Sequence, residues 1–298
     1  MHAGRDEWAG YGLVLAAAVL WGSIGIAVRL ISTAGVGALE ASTWRAGLAF
    51  AGALLAAALT QRGRLRVDLQ DTLLFAAYGF VSIALFFLAY FTAIELTTVA
   101  TAAILLYTAP VWVTVLSAVL FGEDLSRSKL VALLLAFAGC ALVARAYDPA
   151  ALRLNLPGVL AGLAAGLTYG LYSVFGKVAL RRHPPLAVLV YALGFGTVFL
   201  ALGGMASGHP PERFSPSHVA RALPALLYLG LVATWLAQWL YVAGLRRVQA
   251  SRASIVATVE PVVAGVLGYV WFGEALDPVQ LVGSALVLVA AAAVQAGR

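Results

Sequence analysis

A single acidic residue lies deep within a long apolar segment near the end of the chain. Glu260 follows Arg252 by eight residues, with only apolar and hydroxyl-bearing side chains between them. In a helix this separation is about 12 Å, and an ionised carboxylate at such a depth in hydrocarbon is costly unless it faces protein or water. Glu260 is therefore predicted to exchange a proton, to bind a cationic group of a ligand, or to serve only as a hydrogen-bonded packing group.

Two prolines interrupt apolar segments at interior positions. Pro110 and Pro261 each lack an amide donor and displace the carbonyl group four residues earlier, which belongs to Leu106 and Ala257 respectively. In hydrocarbon the freed carbonyl groups need a protein partner or water. Both prolines are candidate gating positions at which a helix bends, with fixed packing kinks as the alternative.

Aromatic and polar side chains recur every three or four residues in several of these segments, which places each set on one helix face. The candidate binding residues are Trp21, Tyr78, Ser82, Tyr90, Thr101, Tyr169, Trp235, Gln238 and Trp239, together with Glu260. Aromatic rings with scattered hydroxyl and amide groups suit a medium-sized, partly apolar ligand. The alternative is that Trp and Tyr near the ends of the segments anchor the protein at a membrane interface.

Three basic residues lie within apolar segments or at their boundaries: Arg29, Arg45 and Lys177. Arg45 is expected to be a structural anchor, and neither it nor Lys177 alone marks an anion site. Lys177 lies near the end of its segment, so its side chain is expected to extend to the membrane interface.

Glycines form two patterns. In the turns Gly122-Glu123 and Gly273-Glu274, the glycine is expected to end one helix and the glutamate to lie near the N-terminus of the next. A second pattern repeats every four residues and predicts close packing of a neighbouring helix; it consists of Gly158, Gly162, Gly166 and Gly170.

The elements that carry these residues are long and apolar. Of 298 residues, 62% are hydrophobic and only 11% are charged, whereas a soluble domain carries about 25% charge, so a water-soluble globule is excluded. Because about 18 or more apolar residues cross the hydrocarbon as a helix, we predict an all-α membrane protein with ten transmembrane helices. They span approximately residues 11–31, 39–59, 72–94, 98–121, 130–147, 157–180, 186–206, 222–244, 252–272 and 278–296.

Basic residues are distributed unevenly between the two sides of these helices. The side that carries both termini holds twelve: Arg5, Arg62, Arg64, Arg66, Arg127, Lys129, Arg181, Arg182, Arg246, Arg247, Arg252 and Arg298. The opposite side holds four: Arg145, Arg153, Arg213 and Arg221. By the positive-inside rule both termini are cytoplasmic. The net charge of +6 then reflects cytoplasmic loops, and no nucleic-acid partner is predicted.

The chain contains an internal repeat. At a constant offset of 151, Pro110-Val111 matches Pro261-Val262 and Phe121-Gly122-Glu123 matches Phe272-Gly273-Glu274, and 11 of the 22 positions from 110 to 131 are identical. At offset 148, Trp21-Gly22 aligns with Tyr169-Gly170 and Arg29 with Lys177. We therefore predict two five-helix repeats, residues 1–148 and 149–298. Because five is odd, the second repeat is inverted, as in many secondary transporters; a membrane scaffold without transport is the alternative.

The chain resembles the EamA-type members of the drug/metabolite transporter superfamily. The resemblance rests on Trp21-Gly22-Ser23, Arg45, Pro110, Gly122-Glu123, Glu260-Pro261 and Gly273-Glu274, in the order and spacing of the two repeats. It implies a multi-pass protein of the bacterial inner membrane that exports amino acids or related small metabolites by alternating access. Among these proteins the chain is most similar to bacterial aromatic amino-acid exporters, which implies aromatic or other apolar zwitterions as substrates.

Other functions remain as alternatives. An exchanger of phosphorylated sugars or nucleotide sugars belongs to the same superfamily, but phosphate requires fixed positive charge and only Arg45 lies well inside a span. A lipid-modifying membrane enzyme centred on Glu260 would need a second acid in register. The four histidines fall in tails or loops, so we predict no enzyme, no metal site and no cofactor. The predicted partners are a small-molecule substrate and the bilayer, with proton coupling left open.

The charge distribution makes a direct prediction about topology. Reporter fusions made after Arg64 and after Arg182 should indicate a cytoplasmic location, and those made after Asp148 and after Pro210 a periplasmic location. The expected pattern follows from the excess of basic residues on one side. A reversed reading at any one of these four loops would contradict the inverted repeat.

Overall fold

A computed structural model of the chain describes residues 2–60 and 67–296, with side chains for 6–60 and 67–295. All regular secondary structure in these ranges is helical. Four of the basic residues counted above, Arg62, Arg64, Arg66 and Arg298, lie outside the described residues, as does the side chain of Arg5.

Each half of the chain contains eight α-helices among the described residues. In the first half they are α1 (His2–Gly22), α2 (Ile24–Thr33), α3 (Ala38–Thr60), α4 (Leu69–Gly79), α5 (Phe86–Leu96), α6 (Val99–Leu106), α7 (Ala109–Phe121) and α8 (Arg127–Val143). In the second half they are α9 (Leu156–Ala179), α10 (Pro185–Ala206), α11 (Pro216–Val219), α12 (Leu223–Leu227), α13 (Ala237–Leu245), α14 (Ala250–Ala257), α15 (Glu260–Phe272) and α16 (Pro278–Ala296). Two π-helical segments, Phe80–Leu85 and Tyr228–Leu236, and two 3₁₀ turns, Pro211–Phe214 and Ala220–Ala222, complete the described structure.

Within the described residues, nine helical stretches are long and apolar enough to cross a membrane. They are Asp6–Thr33, Ala38–Thr60, Leu69–Leu96, Val99–Phe121, Leu156–Ala179, Pro185–Ala206, Pro216–Leu245, Ala250–Phe272 and Pro278–Gln295. Helix α8 has 17 residues, so it is about 25 Å long, and it ends at Val143, before the predicted residue 147. The prediction of an all-helical membrane protein is confirmed, whereas the number ten, the inversion and the division at 148 stay predictions.

Helix packing repeats between the two halves. Helix α1 packs against α13, α14 and α15, and α9 packs in the same way against α5, α6 and α7. Helix α3 packs against α10, and α8 packs against α16. Exchanging the halves therefore converts each of these contacts into another contact of the same set.

The prolines break their helices at equivalent points, as the sequence predicts. Pro110 and Pro261 lie in the first turns of α7 and α15, where proline is tolerated. The backbone hydrogen bonds also correspond: Thr108 N–H donates to Leu105 O, and Val259 N–H donates to Val256 O, each at 3.2 Å. The repeat is therefore visible in backbone geometry as well as in sequence.

The two Gly-Glu turns have the same conformation. Gly122 and Gly273 have φ angles of 66° and 69°, a left-handed conformation that glycine adopts without a Cβ penalty. The amide of Glu123 donates to Ser117 O and that of Glu274 to Gly268 O, which ends α7 and α15 with the same Schellman-type cap. The expected helix ends are confirmed.

The predicted first helix is not continuous. It breaks at Ser23, whose hydroxyl donates to Leu20 O at 2.6 Å. Here Gly22 lies so close to α15 that a Cβ would stand 2.9 Å from the carbonyl oxygen of Glu260. This break was not predicted because the segment contains no proline.

Glycines permit several of the helix contacts. The four glycines of α9 face α5, α6 and α7, with the nearest atoms belonging to Thr97, Leu105, Thr108 and Ala109, so the predicted close packing is confirmed. Gly139 of α8 approaches Gly283 of α16 in the same way, and a Cβ on Gly139 would lie 2.7 Å from the Gly283 carbonyl oxygen.

We expect Gly139→Ala to lower the free energy of unfolding by about 1–3 kcal/mol, because the added methyl group must separate two packed backbones. Gly12→Ala is the matched control, since no atom lies within 4 Å of a Cβ there and alanine favours a helix. Thermal unfolding of the purified proteins in detergent measures the difference. Equal midpoints for the two variants would contradict the close contact between α8 and α16.

Candidate functional site

A half-buried acid and a half-buried base interact between two helices of different halves of the chain. Arg45 of α3 and Glu260 of α15 interact electrostatically. In the described part of the chain, however, the ion pairs within 4.0 Å do not include this one. The hydroxyl group of Tyr169 donates to Glu260 Oε2 at 3.4 Å, and Arg45 Nε donates to Thr234 Oγ1 at 2.6 Å.

Local backbone structure positions both charges. The break before Pro261 makes Glu260 the first residue of α15, so its carboxylate lies at the positive end of a helix dipole. Thr234 lies in the second π-helical segment, where its hydroxyl group also donates to Leu229 O, five residues earlier, at 2.6 Å. Neither π-helical segment was predicted, although such segments are frequent at functional sites.

Aromatic rings surround the two charges. Phe86 stacks on Tyr90 with ring centroids 5.9 Å apart and lies 5.3 Å from the ring of Tyr169. The guanidinium carbon of Arg45 lies 5.5 Å from the centroid of Phe87. We call these groups the central cluster: Arg45, Phe86, Phe87, Tyr90, Tyr169, Thr234 and Glu260.

A second aromatic group lies next to the central cluster. The ring centroids of Trp21 and Tyr241 are 5.1 Å apart. Those of Tyr241 and Tyr172 are 6.2 Å apart, and those of Tyr172 and Tyr78 are 5.1 Å apart. The hydroxyl groups of Ser173 and Tyr241 form a hydrogen bond of 2.7 Å. This group combines residues from both halves of the chain, so it forms part of their shared interior.

Four of the sequence-predicted residues carry buried polar atoms without a partner. Within the described residues, Tyr78 Oη, Ser82 Oγ, Trp235 Nε1 and Gln238 Oε1 are buried and form no hydrogen bond to protein. A buried polar atom in this condition costs about 1–3 kcal/mol. Hydrogen bonding to a transported ligand or to water would recover that free energy.

Two of the sequence-predicted residues lie apart from these groups. Thr101 is near the N-terminus of α6, where it accepts hydrogen bonds from the Thr98 hydroxyl and the Arg153 amide. Trp239 is 37% exposed. The two prolines are buried in the first turns of α7 and α15, at the helix breaks.

Two expectations about charged side chains were wrong. Lys177 does not extend outward but donates to the carbonyl oxygens of Leu245 and Val248 at 2.7 and 2.6 Å, because the end of α13 provides unpaired acceptors there. Glu123 binds the N-terminus of α14 rather than that of the following helix, α8. Both partners are more than 60 residues away in sequence, so helix-end rules based on neighbouring residues could not identify them.

Paired helix breaks and half-buried charges between two similar halves place the chain in the class of helical membrane transporters. The EamA-like transporter family matches residues 8–145 and again residues 156–295. The chain belongs to this family, and thus to the drug/metabolite transporter superfamily, as the sequence motifs predicted.

Known relatives and a solved structure agree with this assignment. An uncharacterised transporter of Archaeoglobus fulgidus is 36% identical over 72% of each chain. A protein of Streptantibioticus cattleyicolor named as a probable terminal-alkyne amino-acid exporter is 35% identical over 62% of this chain and 60% of its own length. The Escherichia coli threonine/homoserine exporter RhtA is 25% identical over 46% of this chain and 45% of its own. A crystal structure at 21% identity has the same fold, with a TM-score of 0.81 over 95% of both chains.

We expect Pro110→Ala and Pro261→Ala each to lower the transport rate by about tenfold, equivalent to about 1.4 kcal/mol in the barrier. The restored amide can bond the carbonyl group four residues earlier and straighten the helix. Pro185→Ala is the matched control, since Pro185 is the first residue of the unbroken helix α10. Counterflow rates and thermal midpoints should be measured together. Wild-type rates in both variants would identify the prolines as packing kinks.

Proposed function

We propose that the protein is a secondary transporter that exports amino acids, with aromatic or other apolar side chains preferred, across the bacterial inner membrane. The observation that carries this proposal is the separation of Arg45 and Glu260, which interact across the central cluster without a direct ion pair. An amino-acid zwitterion presents one carboxylate and one ammonium group. Arg45 can bind the first and Glu260 the second, and the substrate then completes the charge pairing that the empty protein lacks.

The surroundings of the two charges favour an apolar side chain. Phe86, Tyr90 and Tyr169 line this region with ring faces, and stacked rings add about 0.5–1.5 kcal/mol beyond the burial of their surface. With a single arginine in the central cluster, a zwitterion is a better electrostatic match than a phosphate dianion. The names of two relatives, which refer to amino-acid export, support the same substrate class.

Alternating access between two inverted repeats is the proposed mechanism. Its support is the correspondence between the halves: equal helix breaks, equal glycine turns and packing contacts that map onto one another. Five membrane passages in each half, with α8 as the fifth, would give ten helices and place both termini in the cytoplasm. No enzymatic step is part of this proposal, and any coupling uses an ion gradient.

Transport into proteoliposomes, across a panel of amino acids and with or without a pH gradient, tests the substrate class. We expect exchange of apolar amino acids and rejection of N-acetyl amino acids, which lack the ammonium group, and of amino-acid amides, which lack the carboxylate. Glu260→Gln should reduce the discrimination against N-acetyl substrates, and Arg45→Gln should reduce the discrimination against amides. Exchange of sugar phosphates in place of amino acids would overturn the proposal.

Arg221→Gln is the control for loss of an arginine, because Arg221 is exposed in a 3₁₀ turn outside the central cluster. We expect wild-type discrimination in this variant. The pH dependence of Glu260→Gln separates two roles of the acid: retained exchange without pH dependence indicates proton coupling, whereas loss of binding indicates contact with the substrate ammonium group. Unchanged transport with unchanged pH dependence would exclude Glu260 from both roles.

A further inference from the structure

Glu123 forms a bridge between two helices that are far apart in the chain. Its carboxylate follows the glycine turn at the end of α7 and accepts hydrogen bonds from the amides of Ala250 and Ser251 at 2.8 and 3.1 Å. The hydroxyl group of Ser251 donates to the same carboxylate. These are the first two residues of α14, so Glu123 supplies the negative charge and the acceptors that a helix N-terminus favours.

The equivalent residue in the other half has a different partner. Glu274 follows the equivalent turn at the end of α15, and its Oε1 atom accepts from Arg29 Nη1 at 2.7 Å. The residues that correspond to Ala250 and Ser251 at the offset of 151 are Val99 and Ala100, the first two residues of α6. No described side chain bonds their amides.

The N-terminus of α14, which is bonded to Glu123, is also more buried than the equivalent N-terminus of α6. Ala250 and Ser251 are fully buried, at 0% exposure, whereas the equivalent Val99 is 64% exposed. Helix α14 packs against α7, but the equivalent pair, α6 and α15, has no comparable packing. A cavity of about 170 Å³ lies beside Arg29 and Glu274, and none of its lining residues belongs to α6. The contact of Glu123 with α14 is therefore formed, whereas the equivalent contact of Glu274 with α6 is not.

We propose that Glu123 and Glu274 are alternating latches, each of which closes one side of the transport pathway by binding the N-terminus of the facing broken helix. In the present structure Glu123 is bound to α14, and Glu274 is bound to Arg29 rather than to α6. In the alternate state Glu274 binds the amides of Val99 and Ala100, and Glu123 is released. This inference rests on the alternating access proposed above.

The released glutamate has a partner available in each half. Arg29 already binds Glu274, and its equivalent at offset 148 is Lys177. Lys177 interacts electrostatically with Glu123, and it now bonds the carbonyl group of Leu245 at the end of α13 and that of Val248 in the turn that follows. In the alternate state Lys177 takes the role of Arg29 and pairs with Glu123. Neither carboxylate is then left without a positive partner in either state.

Alkylation of single cysteines tests the latches without a transported substrate. The natural thiol is removed by Cys140→Ser, and the reporters are Ser254→Cys on α14 and the equivalent Ala103→Cys on α6. Ser254 lies one turn beyond Ser251 on α14 and is 7% exposed. Glu123→Gln should raise the maleimide rate at the first reporter about tenfold and lower it at the second, because an uncharged acceptor binds amides more weakly. Glu274→Gln should do neither.

Comparison of the Glu123→Gln and Glu274→Gln variants distinguishes a latch from a general loss of stability. If both glutamine variants change the two reporters alike, or if Glu123→Gln leaves the first reporter at its original rate, the proposal is overturned. Should Glu123→Gln fail to fold, Ser251→Ala removes one donor from the same contact and is expected to raise the first rate about threefold. A latch response in a protein that exchanges no amino acid would overturn only the proposed substrate. Normal exchange without a latch response would overturn only the latch.

Discussion

The absence of water in the hydrocarbon core is the constraint on which the structure depends. A continuous helix satisfies its own backbone, but a broken helix exposes carbonyl and amide groups that only other protein groups can satisfy. Among the residues that the structure describes, three membrane segments are broken by a gap between two α-helices, and the same kind of side-chain hydrogen bond is found at each gap. The hydroxyl groups of Ser23, Thr108 and Thr258 each donate to the carbonyl oxygen three residues earlier at 2.6 Å. These bonds allow helices to stop and restart in the middle of the structure.

The position of the charged residue Glu260 follows from the broken helices. A restarted helix presents a positive end inside the protein, and Glu260 occupies such an end at the start of α15. The equivalent position in the other half is Ala109, which begins α7 with the same backbone geometry but no charge. The backbone is therefore repeated while the chemistry is not. A repeated backbone suits the exchange of two conformations, and the unrepeated acid allows a single orientation of a bound ligand.

Much of the fold was predictable from sequence because it follows from local patterns. The length of the apolar segments predicted the helices, and the proline at equivalent positions of the two repeats predicted the interruptions at Pro110 and Pro261. The Gly-Glu pairs predicted two helix ends. The break at Ser23 and the π-helical segments were not predictable, since they depend on contacts between distant helices. For the same reason the sequence indicated Glu260 and Tyr169 separately but not their hydrogen bond. It also did not predict that Arg45 would bond Thr234, because π-helical geometry changes which face Thr234 presents.

The second π-helical segment has a consequence for how the chain tolerates insertions and deletions. An α-helix turns by about 100° per residue, so each wide turn between Tyr228 and Leu236 absorbs a residue that would otherwise rotate everything after it. Deleting one residue within this segment would return it towards α-helical geometry and leave the rotational phase between Arg221 and Tyr241 nearly unaltered. The same deletion in an α-helical part of the segment would rotate everything after it by about 100°. The π-helical part therefore accepts a change of length that the rest of this membrane helix does not, and homologues with one residue fewer there would have to reach Arg45 with a different side chain.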